Sequence, residues 1–359
     1  MEYDIIVIGG GPAGASFCRY ISKRYSVLLI EKRQLDPQGN YLDAKACGGL
    51  LNLECQRELS VQSLAIPKGV LQEPQMFTVR AFDFDNRISK HYQKSYLNVD
   101  RALFDSFLLS RIESHVDLLP ASLYLSHEIA SGAVRVKVKQ GEKILDLTCK
   151  RLIDASGAIA AASKKMHARP DYYACIQRHY RTKERLPYLF SVFDKHVTDY
   201  YSWGIQKADT LIVGSAISDT KRAKEKFERL LERLEEIGFD LSHEEKREGS
   251  LLLRPKRMGD VFLGAKPIHV IGEAASLISP SSSEGISFAL RSGRFLADSM
   301  NRSFVNYPRA YERAARSLKI SMFVKEKKAR LMYSKNSRRL IMKSGVLSTK
   351  VRGEKTFTL

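Results

Sequence analysis

What most limits the fold of this chain is its beginning. Tyr3 to Ile8 is an apolar run of strand formers that meets Gly9-Gly10-Gly11-Pro12-Ala13-Gly14 and continues into Ala15 to Ile21, a helical pattern; a second apolar run, Val27 to Ile30, ends on Glu31. Strand, glycine turn, helix, strand and acid make the βαβ unit that grips a dinucleotide. Gly9 permits the tight turn, Gly11 leaves no Cβ between backbone and pyrophosphate, and Gly14 lets helix and strand pack closely. The phosphates then meet unpaired N–H groups and the positive end of the helix dipole. Glu31 is expected to accept hydrogen bonds from the adenosine ribose, and Ala13 and Lys32 complete the expected contacts of this first site.

Composition adds bounds. The chain has 359 residues, 44% hydrophobic and 28% charged, enough for a large core in one domain or two interleaved ones. Glu2 and Asp4 stand where a signal peptide needs positive charge, and no apolar run approaches about 18 residues, so neither export nor a membrane span is expected. Five cysteines (Cys18, Cys47, Cys55, Cys149, Cys175) form no CxxC, which argues against a disulfide framework and against a metal site, and for a reducing cytoplasm. The formal charge of +19 implies attraction to something acidic: anionic lipid, a diphosphate or nucleic acid.

Along the chain, Ala44 to Leu51 is a small-residue turn opening a helix. Met76–Asp85 and Lys90–Val99 alternate as strands, and Asp100-Arg101 starts a helix over Ala102–Ile112. Arg101 at such a start is solvated unless something binds it. A meander follows, with strands Leu118–Leu125, Ala133–Lys139, Lys143–Cys149 and Leu152–Asp154. Asp154 with Ala155-Ser156-Gly157-Ala158 is either a second dinucleotide-facing loop or a plain strand-end turn. Further strands are expected at Tyr172–His179, Tyr188–Phe193, Asp199–Gln206 and Thr210–Ile217, then a charged helix over Lys221–Ile237 with a solvated face. Tyr201 and Trp203 share one face of their strand, as core or as the lining of an apolar substrate channel. Ile268–Ile271 runs into Gly272-Glu273, and Pro280 to Ile286 opens a helix through Met300. Tyr311 to Leu359 is helical in propensity, striped with apolar residues and dense in Lys and Arg.

Taken together, these stretches resemble the geranylgeranyl-reductase family of the para-hydroxybenzoate-hydroxylase superfamily, and within it the bacterial CbrA-type branch. The resemblance rests on Gly9 to Glu31, Lys45 to Leu51, Asp100-Arg101, Tyr201-Ser202-Trp203 and Gly272 to Ile286, and covers nearly the whole chain. It implies an α/β fold with α+β elements. A Rossmann-like FAD-binding domain is expected at 1–70, 99–165 and 261–300, an interleaved antiparallel-sheet substrate domain at 71–98 and 166–260, and a basic helical region at 301–359. It implies FAD as the cofactor, with Cys47, Gly48 and Gly49 beside the isoalloxazine ring, Arg101 in contact with it, and Gly272-Glu273 passing the ribityl-diphosphate. Gly285 and Ile286, at a helix N-terminus, would face the pyrimidine edge, where reduced flavin gains negative charge. Cys47 and Gly48 are the expected catalytic pair, although a cysteine beside glycines is also ordinary packing. Two departures are visible: the family has Asp where this chain has Glu273, and an aromatic and a proline where it has Ile205 and Gln206.

With one dinucleotide fingerprint, electrons must come from transient NAD(P)H or another reduced carrier, which includes an electron-donor protein. The implied reaction is hydride transfer from reduced flavin to a C=C bond of an isoprenoid or polyprenyl-type lipid. The alternatives are an FAD-dependent monooxygenase of an apolar small molecule and a membrane-associated FAD-binding protein without turnover; the Trp-x-Trp-x-Ile-Pro motif of halogenases is missing. No nucleic-acid partner is expected. The tail is expected either to lie on an anionic membrane, placing a cytoplasmic protein at the membrane's inner face, or to pack its stripe on the flavin domain.

Overall fold

The computed structural model describes residues 1–43, 45–130, 132–168 and 170–351. Ala44 of the small-residue turn and the basic tail beyond Val351, with Glu354 and Lys355, lie outside the described residues. In chain order the strands are β1 (Glu2–Ile8), β2 (Val27–Ile30), β3 (Leu50–Leu51), β4 (Met76–Asp83), β5 (Ile88–Asn98), β6 (Val116–Leu119), β7 (Ser122–Ala130), β8 (Ala133–Gln140), β9 (Lys143–Asp154), β10 (Tyr172–Arg181), β11 (Leu189–Phe193), β12 (Ser202–Lys207), β13 (Thr210–Ile217), β14 (Glu244–Leu253), β15 (Gly264–Ala265), β16 (Ile268–Val270) and β17 (Ser348–Thr349). The helices are α1 (Pro12–Tyr20), α2 (Leu53–Val61), α3 (Arg101–Leu109), α4 (Ala223–Glu236), α5 (Ile286–Arg302), α6 (Tyr307–Tyr333) and α7 (Lys335–Ser344).

The apolar run of β1 lies mid-sheet between parallel strands, β2 on one side and the end of β9 on the other, and both its faces are covered: Ile5 and Val7 lie in the core on the helix side, Ile6 and Ile8 in the core with Val134, Val136 and Val138 of β8. The first sheet runs β15-β16-β9-β1-β2-β6, with the β7–β8 hairpin on the first half of β9. Helices α1 and α5 cover one face, where Phe17, Phe288 and Leu296 meet Val7 and Ile153. The second sheet runs β14-β10-β13-β12-β11-β4-β5-β17, with β3 added at β5. Helix α4 seals it by burying Phe227, Leu230 and Leu234 on Tyr188, Phe190 and Val213, while its charges stay in water.

Some expected elements differ. The strand expected over Leu118–Leu125 is two strands: β6 continues the parallel sheet beyond β2, and β7 turns back to pair with β8. Pro120 has no N–H for a ladder, and Ala121 takes a left-handed φ of 50°, so the chain breaks there. Leu50–Leu51 belongs by pairing to the second sheet. Strand β14, not expected at all, forms the edge of that sheet against β10; its Glu-Glu-Lys-Arg-Glu start hides the pattern of a strand but suits an exposed edge. The strand expected from Asp199 begins at Ser202.

Helix α6 crosses from one sheet system to the other. Tyr311, Ala315, Leu318 and Met322 are buried in the core of the first sheet, and the Tyr311 hydroxyl donates to the Val270 carbonyl at 3.1 Å. At the far end, Tyr333 and Met332 meet Phe193 and Ala81 of the second sheet, as does Met342 of α7. The fully buried Asp83 receives two hydrogen bonds from Arg338 (2.7 and 3.1 Å), which also pairs with Asp85 at 2.8 Å. The inner stripe of the tail therefore packs on the fold. Among the described residues no helix is long and apolar enough to cross a membrane.

Candidate cofactor and substrate site

The turn after β1 is built by sterics. Gly9 sits at φ 101°, and a Cβ there would stand 2.7 Å from the Ala155 carbonyl. A Cβ on Gly14 would collide with the Gly9 carbonyl, so helix and strand touch. Gly11 is different: nothing lies within 4 Å of where its Cβ would be. It is the N-cap of α1, has no side chain to satisfy the first-turn N–H groups, and Pro12 follows at the first turn. An uncapped helix start with open space in front fits a dinucleotide's phosphates. Ala13 is buried against Gly272, where a Cβ would come within 2.8 Å of its own.

From this turn a chain of charges runs to the Cys47 loop. The Gly10 N–H donates to Glu31 Oε2 at 2.7 Å, and Glu31 also accepts from the Arg33 backbone (2.9 Å) and guanidinium (3.2 Å). Arg33 lies 3.6 Å over the Tyr41 ring and donates to Asp105 at 2.9 Å. Asp105, almost fully buried, receives Arg101 as well, at 2.8 and 3.2 Å. Burial works against both guanidinium charges, yet Asp105 with Glu31 raises the pKa of Arg33, and Asp105 with Cys47 raises that of Arg101. Arg101 in turn stands near enough to Cys47 for its charge to act on the thiol. Burial pushes the Cys47 thiol up, but Arg101, the Gly49 N–H (3.5 Å) and Lys45 more than reverse this, and its pKa lies below the ordinary value. Lys45 pairs with Glu273 at 2.6 Å, tying the loop to the turn after β16.

The other wall comes from β12. Gly48 lies against Ile205, whose side chain a Cβ would strike. Gly49 takes φ 61°, and a Cβ there would stand 2.9 Å from Lys207 Nζ. That ammonium donates to the Asn98 side chain (2.6 Å) and the Val99 carbonyl (2.7 Å), both neutral, and burial pushes its pKa down to about 8. Trp203 is buried over Gly214 with its N–H on Gln177 at 3.3 Å. Tyr201, 5.6 Å from Trp203 between ring centres, donates to the Ser282 carbonyl at 2.7 Å. Tyr333 of α6 donates to the Ser281 carbonyl at 2.7 Å. The loop these tyrosines hold leads through Glu284, which accepts from Tyr96 (2.8 Å) and Asn52 (2.6 Å), into Gly285 and Ile286. Gly285 caps α5 with no side-chain hydrogen bond, a second helix start without a side-chain cap.

The structure thus gathers Cys47, Gly48, Gly49 and Arg101, links Glu273 to them through Lys45, and sets Tyr201 and the Gly285-Ile286 helix start on one loop system. Two residues need correction. Asp154 does not face the glycine turn: its carboxylate accepts from Ser156, Ala162 and Ser163 and organises its own loop, while the Ala155 backbone meets Gly9. Lys32 is exposed, and its neighbour Arg33 occupies the position by the acid. Both Glu31 oxygens are engaged, so a ribose hydroxyl would reach them only with the Arg33 fork moved aside. The Arg101 side chain is 10% exposed and is held by Asp105 instead of standing in water. Sequence reasoning missed Arg33, Asp105, Lys207 and Glu284; the four-residue spacing of Arg101 and Asp105 on one helix was the one available signal. Among the described residues no group of His, Cys, Asp and Glu could hold a metal.

A largely parallel sheet with a glycine-turn helix start, joined to a largely antiparallel sheet in which β4 and β11 pair in parallel, is the fold of para-hydroxybenzoate-hydroxylase-type flavoproteins. Solved structures share it: a geranylgeranyl bacteriochlorophyll reductase-like protein from Thermoplasma acidophilum, with TM-score 0.82, 19% identity and coverage of 98% of this chain and 92% of that one, and PqsL, a probable FAD-dependent monooxygenase from Pseudomonas aeruginosa, with TM-score 0.69, 14% identity and coverage of 96% and 99%. No family model matches the sequence. Protein CbrA of Escherichia coli O6:H1 is 32% identical over 349 residues, 96% of this chain and 94% of that protein. The chain belongs to the CbrA family.

Proposed function

We propose that this protein is an FAD-dependent oxidoreductase that saturates a C=C bond of an isoprenoid or polyprenyl-type lipid, with NAD(P)H or another reduced carrier as transient donor. The observation that carries this reading is the Cys47-Gly48-Gly49 loop, held between the Arg33–Asp105–Arg101 charge chain and the apolar Trp203–Ile205 face of β12. Bound flavin would supply the hydride. The phosphates would lie at Gly11 and the start of α1, and the ring beside the Cys47 loop and the Gly285 helix start. The chain's own residues do the rest. Trp203, Ile205 and Tyr201 present an apolar wall that excludes water and orients a prenyl chain. Cys47 and Arg101 set the charge on the loop, and Lys207 Nζ holds a proton that is exchangeable near neutral pH.

The test compares lipid extracts of cells with and without the protein by mass spectrometry. One isoprenoid class should gain the mass of one hydrogen molecule per bond reduced, and purified protein should release FAD on denaturation. Oxygen uptake coupled to a hydroxylated product would replace this reading with the monooxygenase.

A further inference from the structure

Helix α6 has two stripes, each recurring every three or four residues and hence each on one face. The inner stripe packs on the core. The outer stripe begins with Arg309, Arg313 and Arg316 and continues with Ile320, Phe323, Val324, Lys327 and Leu331, all exposed. Ile320 is 65% exposed, Val324 61%, Leu331 55% and Phe323 48%, and Leu340 on α7 is 71% exposed. Large apolar side chains in water at helical spacing within a basic field need a partner that is apolar and anionic together.

From these features we infer that the outer face of α6, continued by α7, docks flat on an anionic lipid bilayer. Arginines and lysines would lie at the head groups, with Ile320, Phe323, Val324 and Leu331 among the upper acyl chains. The charge on this face is one-sided. Its exposed acid is Glu312, while Glu326 is buried and taken by Arg330. Lys325 is likewise bound inward, to Glu54 at 2.9 Å. The exposed cations of this helix that are in no ion pair include Arg309, Arg313, Arg316, Lys328 and Lys327, the last 5.1 Å from the Phe323 ring centre. Aliphatic side chains at the centre of the patch favour lipid over nucleic acid, which would be met by stacking aromatics. The same helix ends at Tyr333, on the loop that leads to Gly285, so a bilayer held here lies one helix away from the candidate site whatever its reaction.

The experiment is vesicle flotation of the full-length, flavin-loaded protein, which needs no turnover and so stands or falls apart from the proposed reaction. Phosphatidylcholine vesicles containing phosphatidylglycerol should carry the protein upward at low salt, and pure phosphatidylcholine should not. High salt should release it. Arg309→Gln, Arg313→Gln, Arg316→Gln and Lys327→Gln combined should lower partitioning about a hundredfold or more. A second variant, Ile320→Ser, Val324→Ser and Leu331→Ser, should bind more weakly while keeping its salt dependence. Both should keep the parent's circular dichroism, because every changed side chain is exposed. Three results would overturn the inference: no flotation of folded parent protein at low salt, undiminished flotation of both variants, or light scattering that shows a dimer which the serine variant dissolves. Binding of an RNA oligonucleotide in place of vesicles would overturn it equally.

Discussion

Of the chain's cysteines, Cys47 alone has neighbouring cations that outweigh the effect of burial. Burial pushes Cys149 and Cys175 up to about 12, and Cys18 and Cys55 higher still, whereas Arg101 and Lys45 pull Cys47 down. The thiolate is the reactive form. Iodoacetamide in the native protein should therefore label Cys47 first, with a rate that rises at lower pH than for a free thiol. Arg101→Gln should move that rise to higher pH, as read by peptide mass spectrometry; equal labelling of all five would contradict the assignment. Lys207 gives the opposite kind of shift. Its pKa falls from 10.5 to about 8 on folding, so between those values the unfolded chain binds more protons and stability rises with pH. Below about 8 the full cost of the buried charge, on the order of 3 kcal/mol, is present. Urea unfolding from pH 7.5 to 10 should show this gain in the parent and not in Lys207→Met. At this scale Gly9, Gly11 and Gly14 were legible because the strand, turn and helix they join are consecutive in sequence. Arg33 and Lys207 were not, because a charged residue is taken inside only by partners far away in sequence, such as Asp105 and Asn98.

Among the elements, α1 separates two kinds of glycine. No atom lies within 4 Å of where a Cβ on Gly11 would stand, so Gly11→Val should keep its thermal stability yet lose FAD, because the branched side chain extends into the space before the helix start. Gly14→Ala should do the reverse of keeping stability: its methyl meets the Gly9 carbonyl, an overpacking that costs about 1–3 kcal/mol. Melting curves and flavin content per protein separate the two; a destabilised Gly11→Val would refute the open-space reading. The parallel strands were legible as apolar runs because both faces are covered. Strand β14 was not, because an edge strand facing water may carry any charge it likes, and only its register with β10 makes it a strand.

At the scale of the molecule, α6 and α7 fasten the two sheet systems together. Arg338 is the buried pin, and Arg338→Met would leave Asp83 and Asp85 uncompensated at a cost of about 3–5 kcal/mol. Hydrogen exchange over Lys335–Ser344 should then rise sharply, with a lower melting temperature; unchanged protection would mean that apolar contacts such as Met342 suffice. The sequence showed this region as a striped basic helix but not which stripe faces inward, since both repeat with the same period.

The reach of Tyr333 also bears on how the protein is made. A ribosome delivers the glycine turn first and Tyr333 only after most of the chain has emerged, yet the Ser281 carbonyl before α5 depends on that tyrosine. The nascent chain can therefore form its glycine turn early, while the loop before α5 gains the Tyr333 hydrogen bond only after α6 has emerged. That loop is therefore complete only on chains that have been translated through Tyr333.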